Sequence, residues 1–101
     1  MTTKSTNTPA AARRRVERVQ TGLRLEKRLL KVSKALADSL DLSLSDLVEG
    51  VLLHALEGQA PFGPATLARA TQLKQVFGLD LGARDAHQLT EGPAAGIRRR
   101  R

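Results

Sequence analysis

The stretch "VQTGLRL", residues 19–25, alternates strictly. In an extended chain Val19, Thr21, Leu23 and Leu25 fall on one side, and Gln20, Gly22 and Arg24 on the other. That is the period of a half-buried strand, and no other segment of the 101 residues repeats it convincingly. A lone strand must find its hydrogen-bonding partner outside its own sequence.

The segment after the strand has helical period. From Glu26 to Leu40 the apolar residues Leu29, Val32, Leu36 and Leu40 recur at steps of three and four, with Lys27, Lys31 and Lys34 on the opposite face. Asp41, a residue type that tolerates the left-handed conformation, is the expected stop. Ser43 with Asp46 three residues on has the form of a capping box, so a second helix is expected there. Its apolar stripe runs through Leu44, Leu47, Val48, Val51, Leu52, Ala55 and Leu56, and Gly58 offers its C-terminal stop. Gly50, inside that helix, is read either as a close-approach point for another backbone or as a tolerated glycine.

One strand and two helices within some forty residues cannot bury a core alone. With only two aromatic residues, Phe62 and Phe77, and no cysteine, the core must be built from Leu, Val and Ala without disulfides or thiolate metal sites. Association supplies the missing burial. In the expected dimer the strand pairs antiparallel with its own copy across a two-fold axis, and four helices cover the apolar face. Val19, Thr21, Leu23, Leu25, Leu29, Val32, Leu36, Leu47, Val48, Val51 and Leu52 then form the dimer core.

Charge sharpens the reading. Residues 1–34 hold ten basic side chains against Glu17 and Glu26, a balance of +8, whereas residues 35–97 stand at −5 and the four terminal arginines add +4. Positive charge gathered around the strand and at both ends suggests a polyanion-binding surface. A two-stranded ribbon is also one of the shapes that fits the major groove of B-form DNA.

The run "RVQTGLRLEKRLLKVSKALADSLDLSLSDLVEGVLLHAL", residues 18–56, resembles the ribbon-helix-helix family of DNA-binding proteins, the Arc and MetJ type. The likeness covers about two-fifths of the chain and rests on three features in order: an alternating strand, the turn "DLSLSDL", and an apolar second helix. It implies a mainly α, ribbon-helix-helix intertwined homodimer with a C-terminal helical extension. It makes Gln20, Gly22 and Arg24 the outward residues that contact bases. It makes Ser43, Leu44 and Ser45 a phosphate clamp of backbone N–H groups at the second helix's start. Both roles have a physical basis, since Arg and Gln can pair with base edges and a helix N-terminus attracts phosphate. Three departures stand out: Gly22 supplies no side chain at the middle reading position, Glu26 replaces a common proline, and Asp41 stands where glycine is common. Arg13, Arg14, Arg15, Arg18 and Lys27 are expected on phosphates.

Four regions are expected: a disordered basic arm over 1–17, the dimerisation and DNA-binding domain over 18–58, a helical extension over 59–91, and a flexible basic tail over 92–101. In the extension a helix is expected from Pro64, with Leu67, Ala70, Leu73 and Val76 or Phe77 on one face and Gly78 as its stop. "GLDLGARD" echoes "SLDLSLSD", so a shorter helix is expected from Leu81 to about Leu89.

Catalysis finds little support: His54 and His87 sit in no metal or nucleophile motif, and no cofactor is expected. The start has no apolar run of the secretory kind and no stretch is long enough to span a bilayer, so a bacterial cytoplasm or nucleoid is the expected location. The expected function is sequence-specific binding of double-stranded DNA by a homodimer, or a tetramer on DNA, acting as a transcriptional regulator. The alternatives are an antitoxin-like module that grips a protein partner through residues 59–91, and non-specific nucleic-acid binding.

Overall fold

The computed structural model describes residues 13–92; most of the expected basic arm and nearly all of the expected tail lie outside the described residues. Helix α1 spans Lys27–Ser39, α2 Leu44–Leu56 and α3 Pro64–Phe77, and one 3-10 turn, Ala83–Asp85, comes after them.

Local chemistry explains each boundary. The Glu26 carboxylate accepts the Leu29 backbone N–H at 2.8 Å and opens α1. At the other end Asp41 adopts the left-handed conformation, φ 59°, and the Leu42 and Asp41 N–H groups close back onto Ala37 and Asp38 carbonyls. Ser43 and Asp46 form the expected reciprocal cap of α2, with Asp46 N–H on Ser43 Oγ at 3.0 Å and Ser43 N–H on Asp46 Oδ2 at 3.4 Å. Gly58 and Gly78 end α2 and α3 with φ of 71° and 66°, a region glycine enters without a Cβ penalty. Pro64 opens α3, where the missing N–H costs nothing.

Helix α1 is the element on which the other two pack. Leu36, Ala37 and Leu47 form the buried centre, and Leu40, Leu44, Val51, Phe62, Ala70 and Leu73 pack around it. Arg69 of α3 donates to the Ser39 carbonyl at 3.1 Å, which satisfies one of the open carbonyls at the end of α1. Val32 and Leu79 are also buried, yet no side chain reaches complete burial among the described residues.

The expected ribbon-helix-helix fold is corrected here. Among the described residues there is no β-strand, and residues 14–26 belong to neither helix nor strand. No backbone hydrogen bond to another segment involves residues 13–25 among the described residues, so alternation alone made no ladder. Strand pairing is a property of two segments, and the described residues of this chain offer the alternating one no second strand. The expected dimer core divides accordingly. Val32, Leu36 and Leu47 are buried and Val48 and Val51 half-buried, all through helix packing within one chain. Val19, Thr21, Leu23, Leu25, Leu29 and Leu52 are exposed.

Two smaller expectations also change. The short helix over 81–89 is a single 3-10 turn: the Asp85 carboxylate accepts the Gly82 N–H at 2.8 Å, but Ala86 turns to an extended ψ and His87 takes φ 65°, which stops propagation. On α3, Ala70 and Leu73 join the core and Phe77 is half-buried, whereas Leu67 and Val76 are exposed. At Gly50 nothing lies within 4 Å of where a Cβ would stand, so no backbone among the described residues approaches it there.

Candidate nucleic-acid interface

Seven basic side chains, Arg13, Arg14, Arg15, Arg18, Arg24, Lys27 and Lys31, lie exposed on one stretch that runs into the outer face of α1, and Lys34 extends it one turn further. The helical part has a simple cause. Val32 and Leu36 turn inward, so residues 27, 31 and 34 are left facing solvent. None of the three lysines makes an ion pair among the described residues.

The arginines behave differently. Arg18 lays its guanidinium fork on Glu49 of α2, with Nε and Nη2 donating to the two carboxylate oxygens at 2.7 and 2.9 Å. This hydrogen-bonded pairing, reinforced by the opposite charge, raises the Arg18 pKa and lowers that of Glu49. Arg24 pairs with Glu91 near the end of the described chain. Arg28 donates to the Gly78 carbonyl at 2.8 Å and reaches both Glu26, at 3.2 Å, and Asp80, at 3.1 Å. The Glu26 carboxyl is held below its ordinary range first by the Leu29 N–H and then by Arg28.

Of the expected base-contacting residues, Gln20, Gly22 and Arg24 are all exposed, but so are Val19, Thr21 and Leu23 between them. The segment therefore has no buried side and no single outward face within one chain. At the start of α2, Ser43 and Ser45 are exposed and Leu44 is half-buried. The expected clamp is partly occupied: the Ser43 and Asp46 N–H groups are bound by the chain's own side chains, and the Asp46 carboxylate already meets the positive end of the helix. The N–H groups of Leu44 and Ser45 remain at the first two helical positions.

Sequence reasoning missed Arg28 as a junction, and it missed Glu49, Asp80 and Glu91 as the arginines' partners. The signal was present in the charge balance, since a stretch at +8 followed by one at −5 invites pairing within the chain. Its geometry was not, because contacts 31 and 67 residues apart leave no local trace. His54 of α2 is exposed, and its Nδ1–H donates to the Gly50 carbonyl at 2.7 Å.

An open apolar cavity of about 500 Å³ lies among α1, α2, α3 and residues 79–89, with Leu29, Val48, Leu52, Leu81 and Leu89 on its walls. Leu53 and Leu56 continue the exposed apolar surface along α2. No helix among the described residues is long and apolar enough to cross a membrane. No family model, curated protein or solved structure matches the chain.

Proposed function

We propose that the chain binds double-stranded DNA as a homodimer through its basic segment and regulates transcription in a bacterial cytoplasm. The observation that carries this reading is the concentration of exposed basic side chains between Arg13 and Lys34, set against a balance of −5 over residues 35–97. Phosphates would be met by Arg13, Arg14, Arg15, Arg18 and the lysines of α1. Arg24, whose fork can donate two hydrogen bonds to guanine O6 and N7, is the candidate for sequence readout. A second copy is supported by the shortage of burial: among the described residues five hydrophobic side chains are buried, Val19, Leu23, Leu52, Leu53 and Leu56 stay in water, and Leu52 borders an open apolar cavity. The packing of α3 on α1 speaks against a partner-gripping tail over residues 59–91, because part of that region is used by the chain's own core.

The test is anisotropy of a labelled duplex titrated with protein across a series of salt concentrations. Affinity should fall steeply with salt, and replacing Arg13, Arg14 and Arg15 by Gln should reduce the slope by up to about 0.9 for each phosphate that the variant no longer neutralises. Binding that ignores salt, or a slope that the three substitutions leave untouched, removes the basic run from the interface.

A further inference from the structure

We infer that residues 79–92 form an acidic strap that occupies Arg24 and Arg28 in the free protein and must leave Arg24 when a nucleic acid binds. The inference rests on the DNA-binding reading and adds its regulation.

The strap is a built element. Gly78 enters the left-handed region and reverses the chain at the end of α3, and the Leu79 N–H closes onto the Lys74 carbonyl at 2.8 Å. Leu79 is then buried, only 9% exposed, which anchors the strap to the helical core. Arg28 fixes its start through two contacts, the Gly78 carbonyl at 2.8 Å and the Asp80 carboxylate at 3.1 Å. The clip between Gly82 N–H and Asp85 holds its middle, and Leu81 and Leu89 line the apolar cavity. Glu91 then meets Arg24.

The two ends of the strap differ in how firmly they hold. At Arg28 a carbonyl, a carboxylate and the neighbouring buried leucine act together, and the Arg28 side chain is 37% exposed although Asp80 is 79% exposed. The Arg24–Glu91 pair is 81% and 69% exposed, so its desolvation is slight and exchange for another anion is easy. A phosphate or a base edge presents the same acceptor chemistry as the Glu91 carboxylate. Glu91 therefore acts as a competitor built into the chain. It lowers affinity for every polyanion and penalises most those complexes that need Arg24.

Two readouts on the full chain test this. In 15N NMR spectra of the free protein, Glu91→Gln should move the Arg24 Nε–H signal and leave the core amides in place. In anisotropy titrations with a labelled random-sequence duplex at low salt, Glu91→Gln should tighten binding about three- to tenfold. Glu57→Gln, which removes the same charge from an exposed site at the end of α2, should change it less than twofold. In an Arg24→Gln background the Glu91 substitution should have no larger effect than Glu57→Gln. An unmoved Arg24 signal overturns the strap contact whatever the DNA result. A moved signal with equal effects of Glu91→Gln and Glu57→Gln overturns the competition. If neither wild type nor variant binds DNA at any salt, the DNA-binding reading falls and takes the competition with it, while the NMR result still decides the contact.

Discussion

Glu26 holds the first turn of α1 and also faces Arg28, so one carboxylate joins helix capping to the charge network. Its pKa is lowered in the folded chain, by the Leu29 N–H first, so its stabilising contribution is complete above the ordinary value near 4.5 and is lost as pH falls below that through the lowered value. The amides of the first turn of α1 should accordingly lose exchange protection on acidification, and Glu26→Gln should remove that pH dependence. Protection that falls equally in wild type and variant would assign the acid response to other carboxylates. Arg24 carries the specificity prediction. Arg24→Ala should cost about 1 to 3 kcal/mol more on a preferred site than on random DNA, and the comparison is made by parallel titrations of both duplexes. Equal losses on the two would make Arg24 a phosphate contact only.

At the scale of elements, the chain rests on α1, whose Leu36 is 3% exposed at the centre of the core. Leu36→Ala should destabilise the fold by about 2 to 5 kcal/mol, read as a lowered urea midpoint. Truncation after residue 60 should remove helical circular dichroism, since α3 forms a helix and packs Ala70 and Leu73 against α1. A loss without helical character would mean that α3 is not formed in solution. The three helices and their caps were legible in the sequence because capping is local chemistry: Ser43 and Asp46, Asp41, Gly58, Pro64 and Gly78 each act within a few residues. Alternation at 19–25 was equally local, but a strand also needs a second backbone, and period-2 spacing does not supply one. The echo "GLDLGARD" failed for a related reason. Asp85 caps Gly82 much as Asp46 caps Ser43, but a cap propagates a helix only where a packed apolar face comes next, and residues 86–90 stay exposed.

Taken whole, the molecule separates charge and burial. The basic run and the acidic α2 and strap touch through Arg18, Arg24 and Arg28, while the lysines of α1 face outward. The basic surface was thus legible as charge, but the acids that hold its arginines were not, because the fold alone brings them there. The exposed leucines of α2 make a second whole-molecule prediction. Sedimentation equilibrium should give twice the chain mass, and Leu52→Glu should return it to one chain without loss of helix content. A monomeric wild type would leave the apolar cavity without a second copy to cover it. Selection from randomised duplex DNA at near-physiological salt, run with wild type and with Arg24→Ala, tests the proposed function most directly. A two-fold-symmetric motif should be enriched by the wild type and lost with Arg24→Ala; retention of DNA with no motif, or no retention at all, would refute sequence-specific binding by a homodimer.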